Sequence, residues 1–168
     1  MPSVRAGAAA CYTTGERLVI RPVSVDEVFD AEAFKTLRDE YEAEASRDHA
    51  LRGREPDREG YAALVQAGLM AVLGAFVDGR LVGVATVLFS PVLHAGGKLI
   101  AVTETLFVRR AYRAGGVGLR LLRAAEAVAA EHGAEGLYVS APADGVLERV
   151  LPRLGYRKTN TVFCRSFA

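Results

Sequence analysis

The sequence predicts an α+β domain, and three observations carry that prediction. Its elements read strand, two helices, three strands, helix, strand, helix, strand, which is not the strict alternation of a doubly wound parallel fold. Asp78-Gly79 separates two apolar runs, as the turn of a β-hairpin does. A glycine cluster, Gly115-Gly116-Val117-Gly118, stands where a strand-like run gives way to a helix-like one.

The first strand is Arg17-Leu18-Val19-Ile20-Arg21, stopped by Pro22, and Ser24 is placed to cap the segment that follows. From Asp26 to about Ser46, Phe29, Ala33, Leu37 and Tyr41 fall on one face of a single helix, with acids and Arg38 on the other. The polar stretch Arg47 to Glu55 reads as a loop. A second helix starts after Pro56 with Tyr61, Leu64, Val65 and Leu69 inward, weakened by Gly60 and Gly68. Ala71 to Val77 and Arg80 to Phe89 form the hairpin, and Ser90-Pro91 through Gly96-Gly97 is a break. Ile100 to Val108 is rich in β-branched and aromatic residues and predicts a strand ending near Val108. From Val117 to about His132, Leu121, Leu122, Ala125, Val128 and Ala129 recur at helical spacing.

The chain has 168 residues, enough for one domain that buries roughly 70% of the surface exposed on unfolding. Lys plus Arg is 21 against 20 for Asp plus Glu, so the net charge of +1 argues for neither a nucleic-acid groove nor an anionic membrane surface. That balance favours small ligands or protein partners, and a homodimer stays open. Cys11 and Cys164 lie far apart and His49, His94 and His132 are scattered, so no disulfide framework and no sequence-local metal site are expected. The Ala-rich start through Cys11 is too short and too weakly apolar for a signal core. Residues 1–15 therefore read as a flexible cytoplasmic lead-in to a domain at 16–168, with no transmembrane helix.

A helix start carries N–H groups without intrahelical acceptors and a partial positive charge, so anions bind there. Gly115, Gly116 and Gly118 let a phosphate approach the main chain, and Arg113 can add a guanidinium fork to its oxygens. The segment Arg113, Ala114, Gly115, Gly116, Val117 and Gly118 thus reads as a pyrophosphate cradle. The dinucleotide fingerprint does not fit, because Leu121 stands where its third glycine belongs. The nucleotide-triphosphatase loop does not fit either, because the chain's Gly-Lys runs into Leu99.

With Arg-x-x-Gly-x-Gly at 113–118 following Glu104-Thr105-Leu106-Phe107-Val108, and Leu154-Gly155-Tyr156 about forty residues later, the chain resembles the GCN5-related N-acetyltransferase (GNAT) superfamily. The resemblance is strong over residues 80 to 167 and agrees only in element order before that. It implies a mixed, mostly antiparallel central sheet flanked by helices. It also implies a strand at Gly136 to Ser140, a short helix at Val146 to Leu154 and a last strand at Thr161-Val162-Phe163-Cys164-Arg165. By the same resemblance acetyl-CoA is the cosubstrate, no metal is needed, and the pantetheine arm enters a gap beside the strand leading into the loop. Backbone groups of Leu106, Phe107 and Val108 would line that arm and meet the oxyanion. The implied activity is direct acetyl transfer to a primary amine of a small molecule or peptide in a ternary complex. The alternative is a GNAT-fold module that binds acyl-CoA or a protein without turnover.

An amine that attacks a thioester must first lose a proton, because its ordinary pKa is about 10.4. Glu104 is the candidate base. By period two it shares a face with Ile100, Val102, Leu106 and Val108, so its carboxylate either enters an apolar environment or lines the cleft where the strands part. A structural carboxylate bonded to its neighbours is the competing reading. The sequence departs from the family where a tyrosine often protonates the thiolate, since Leu151 stands there and is followed by Pro152. Asp144 replaces a frequent asparagine, and Tyr138, Tyr156 or water are the substitutes for the acid. His94 reads as a solvated loop residue before a substrate contact, and Cys164 as a small core residue before a reactive thiol. Glu40, Glu42, Glu44 and Asp48 read as a solvated helix face before an attractor of cationic amines.

Overall fold

The computed structural model describes residues 17–44 and 53–165. The expected N-terminal lead-in and most of the loop at 47–55 lie outside the described residues. Five strands form one sheet in the order β1 (Leu18–Pro22), β2 (Met70–Val77), β3 (Arg80–Val92), β4 (Lys98–Val108), β5 (Leu137–Tyr138). The first three pairings are antiparallel and β4–β5 is parallel, as the expected mixed, mostly antiparallel sheet requires. The β2–β3 hairpin turns at Asp78 and Gly79, whose φ values of 47° and 79° suit a tight primed turn that asparagine, aspartate and glycine tolerate. Pro22 ends β1, an edge strand, where a missing N–H costs no ladder bond.

Side-chain alternation along β2 and β3 feeds two cores. Leu73, Ala75, Val82, Ala85 and Val87 face α4 (Val117–Glu131), whose Val117, Leu121, Ala125, Val128 and Ala129 are the residues its helical spacing brings together. On the opposite face Met70, Val72, Leu81, Val84 and Phe107 pack under α1 (Val25–Phe29), α2 (Phe34–Glu44) and α3 (Arg58–Gln66). Ser24 caps α1, accepting from the Glu27 N–H at 3.0 Å. Asp57 caps α3 in the same way, through the Gly60 N–H.

Several expected elements differ. The single helix expected from Asp26 breaks into α1 and α2, with a turn at 30–33 that stacks Phe29 on Phe34, ring centroids 4.6 Å apart. β3 continues through Ser90 and Pro91 to Val92 instead of breaking, because β2 begins at Met70 opposite Leu88 and leaves that side of β3 without a partner needing the proline N–H. Leu69 lies beyond the end of α3 and is exposed. The strand expected at 136–140 pairs only at Leu137 and Tyr138, and the short helix is α5 (Val146–Val150) continued by a 3₁₀ turn at Leu151–Leu154. Residues 161–165 form no strand; Val162 and Phe163 are 90% exposed and Cys164 is exposed, not a core residue. A β-branched and aromatic run makes a strand only where a neighbouring ladder accepts it, and β5 is two residues long.

Candidate active site

The site is built around an irregularity in β4. Thr86 of β3 pairs with Thr105 and Val87 pairs with Thr103, so Glu104 is an extra residue, a β-bulge. The bulge reverses the side-chain phase. Leu99 and Ala101 before it, and Leu106 and Val108 after it, face α4, while Phe107 lies in the opposite core. The expectation that Glu104 shares its face with Leu106 and Val108 is thereby corrected: a strict period of two cannot cross an inserted residue.

Freed from the ladder, the Glu104 side chain lines a pocket between the sheet and α1, α2 and α3. Three hydroxyls donate to one of its oxygens, Oε2: Tyr61 at 2.8 Å, Thr86 at 2.7 Å and Thr105 at 2.7 Å. The Thr86 hydroxyl also accepts the Thr105 N–H at 2.9 Å, so a side chain replaces the carbonyl that the bulge displaces. The Glu104 carboxylate is both bonded to its neighbours and placed in the lining of the cleft. Burial, and after it the Glu104 charge, pushes the phenols of Tyr41 and Tyr61 above the ordinary tyrosine range. Tyr61, Thr86 and Thr105 were not singled out by the sequence as site residues. Their hydroxyls reach Glu104 from α3, β3 and β4, and only the register of the sheet aligns them.

Downstream of Glu104 the two central strands separate. β4 and β5 pair only through Ala101–Leu137 and Val102–Tyr138, while β4 stays paired with β3 to Val108. Among the described residues no strand pairs with the edge of Leu106, Phe107 and Val108 that faces away from β3. Near its start, the Ser140 N–H donates to the Thr103 hydroxyl at 3.2 Å.

Arg113, Ala114 and Gly115 close a 3₁₀ turn that begins at Arg110, and Gly116 follows as the N-cap of α4 with φ 73°. A side chain at Gly116 would meet no atom within 4 Å but would be strained by that left-handed backbone. The Gly116 carbonyl accepts from Arg120, and the N–H groups of Val117, Gly118 and Leu119 start the helix without intrahelical acceptors. The Arg113 fork expected on the phosphate is largely spent elsewhere. Its Nε donates to the Val108 carbonyl at 2.8 Å, a second nitrogen pairs with Glu44 at 2.7 Å, and the guanidinium lies over Phe107. Two of the acids expected on a solvated face work here too. Glu40 pairs with Arg109 at 3.1 Å and accepts the Arg110 N–H at 2.9 Å, so Glu40 and Glu44 tie α2 to the cradle.

The residues considered for thiolate protonation are less assembled. Leu151 is buried, and the Tyr156 hydroxyl donates to Glu126 at 2.8 Å. Tyr138 is exposed on β5. Asp144 takes a left-handed backbone (φ 60°), and its N–H is held by Glu148. His94 is exposed in the turn after β3.

The structure thus places a carboxylate on the strand that parts from its neighbour, and that strand leads to a glycine helix entrance. The family model described as "Acetyltransferase (GNAT) family" matches residues 31–156, and the chain belongs to that family. Solved structures share the fold at low identity. A ribosomal-protein-alanine N-acetyltransferase from Brucella melitensis biovar Abortus 2308 is 19% identical over 90% of this chain and 100% of its own, with a TM-score of 0.67. An aminoglycoside acetyltransferase from an uncultured soil metagenomic sample, in complex with sisomicin, is 19% identical over 90% and 97% at 0.68. An aminoglycoside N-acetyltransferase in complex with CoA is 20% identical over 94% and 99% at 0.67. No curated protein matches the chain.

Proposed function

We propose that this chain is an acetyl-CoA-dependent N-acetyltransferase that moves an acetyl group to a primary amine by direct attack in a ternary complex. The observation that carries the reading is convergence on one strand: β4 holds Glu104 at the pocket, parts from β5, and runs into the glycine entrance of α4. The pyrophosphate of acetyl-CoA fits the N–H groups of Val117, Gly118 and Leu119, where no side chain fills the space above Gly116. The pantetheine arm fits the open edge of Leu106 to Val108, although Arg113 already occupies the Val108 carbonyl.

In the transfer, Glu104 takes the ammonium proton, directly or through one water, and the freed nitrogen lone pair attacks the thioester carbonyl carbon. The C–S bond of the tetrahedral adduct breaks, the nitrogen gives its second proton to solvent to leave the amide, and the departing thiolate takes a proton from solvent. The buried Leu151, which offers no proton at the position of the family's tyrosine, favours a second reading in which the fold binds acyl-CoA without turnover. Measuring thiol release from acetyl-CoA with a panel of amines, beside the rise in melting temperature caused by acetyl-CoA, separates the two. Stabilisation without thiol release for any amine would leave the binding module.

A further inference from the structure

The pocket above Glu104 has walls that constrain what it admits. It encloses about 650 Å³ of empty space, counting its open mouth. Val72 and Val84 form the sheet side, Val28 and Leu37 the helix side, and the stacked Phe29–Phe34 pair an aromatic flank, with Tyr61 6.1 Å from Phe29. Its charged lining residues are Glu104 and Arg38. Arg38 is occupied by Glu55 and Asp39, so among the described residues that line the pocket Glu104 is the carboxylate left for a cation. Its three hydroxyl donors converge on Oε2, which leaves Oε1 for an incoming ammonium.

Resting on the transferase reading above, we propose that the acceptor is a small primary amine with one cationic nitrogen on an apolar body, either branched aliphatic or monocyclic aromatic. One ammonium is compensated by one carboxylate, and the valine and phenylalanine walls take the body out of water. A polyamine or aminoglycoside would bring further ammonium groups against walls that, among the described residues, hold no second carboxylate, and each would lose hydration without a partner there. None of the acids of α2 lines the pocket: Asp39, Glu40 and Glu44 are paired with Arg38, Arg109 and Arg113, and Glu42 accepts the Gly53 N–H.

The test is a calorimetric titration of the CoA-saturated protein with phenethylamine, isoamylamine, phenethyl alcohol, spermidine and sisomicin, run beside thiol release from acetyl-CoA. Phenethylamine and isoamylamine should bind at least about tenfold more tightly than phenethyl alcohol, which lacks the charge, and than spermidine, which lacks the single apolar body. Val84→Phe, which fills the pocket, and Phe34→Ser, at its partly exposed flank, should each weaken phenethylamine about tenfold or more. Circular dichroism confirms folding, and the Phe34 variant keeps the test decisive should Val84→Phe not fold. Spermidine or sisomicin binding as tightly as phenethylamine would overturn the inference, as would a folded variant with unchanged affinity. A peptide with N-terminal leucine that outcompetes both amines would overturn the small-molecule assignment. Selective amine binding without thiol release keeps this inference and sinks the transferase reading; thiol release with spermidine but not phenethylamine does the reverse.

Discussion

Glu104→Gln separates catalysis from structure because of how the carboxylate is held. All three hydroxyl donors meet Oε2, so the glutamine amide oxygen can keep the bonds from Tyr61, Thr86 and Thr105 while the amide NH₂ takes the place of Oε1. What is lost is charge. A hydrogen bond to a charged group contributes roughly 1.5–3 kcal/mol and a neutral one about 1, and the exposure of Glu104 reduces the difference. The net cost in stability is then about 1–2 kcal/mol, a fall in melting temperature of roughly 2–8 °C for a chain of this size. A base that removes the amine proton contributes roughly 10²- to 10⁴-fold to turnover, equivalent to about 3–5 kcal/mol of barrier. The two effects therefore differ in kind and in size. Turnover by thiol release, CoA affinity by calorimetry and stability by thermal melting should be measured on wild type and variant. The expected result is a folded Gln variant that binds CoA as before and turns over roughly 10²- to 10⁴-fold more slowly. Turnover within about threefold of wild type, accompanied only by a lower melting temperature, would refute the general-base role.

Gly116→Val should fold, with about 1–2 kcal/mol of strain from its left-handed backbone, and lose the thermal shift given by CoA; unchanged CoA affinity in the folded variant would remove the cradle. Leu151→Tyr should speed turnover if thiolate protonation limits it, and a pre-steady-state burst of thiol would show that it does not. Tyr61 has a folded pKa above its unfolded one, so its contribution is full below about pH 10 and is lost as pH rises beyond that. In Tyr61→Phe the ultraviolet titration should lose a late phenol and keep the same number ionising below about pH 11. Glu27, Asp30 and Glu148 are held below the usual carboxylate range by hydrogen bonds from Arg21, Arg58 and Lys158. Their contribution is present above about pH 4 and lost as pH falls through the lowered values, so Arg58→Ala should flatten the acid limb of a stability–pH curve.

Much of the fold was legible from local chemistry. The β2–β3 turn needs residues that accept positive φ, and Asp78-Gly79 supplies them. The α4 stripe from Val117 to Ala129 is buried because its spacing matches one helix face against one sheet face. The entrance to that helix at Gly116 followed from a strand-like run meeting a helix-like run, and the family followed from motifs spaced along the chain. Those features depend on residues close together in sequence, where propensity and periodicity operate.

The sheet's register and partners decided the rest. Glu104 leaves the β4 pleat because two β4 residues face one step of β3, which no periodicity in β4 alone reveals. Thr161 to Arg165 has the composition of a strand but no ladder, whereas Ser90 and Pro91 lie in one because β4 reaches them. Arg113 spends two donors on Val108 and Glu44 because α2 lies over the cradle, a contact spanning 69 residues of sequence. Sequence alone determined most of the segments that form helices and strands and where the glycine entrance of α4 falls. Tertiary structure alone determined which side chains surround Glu104, since three hydroxyls from separate elements reach one oxygen only after the sheet has closed around them.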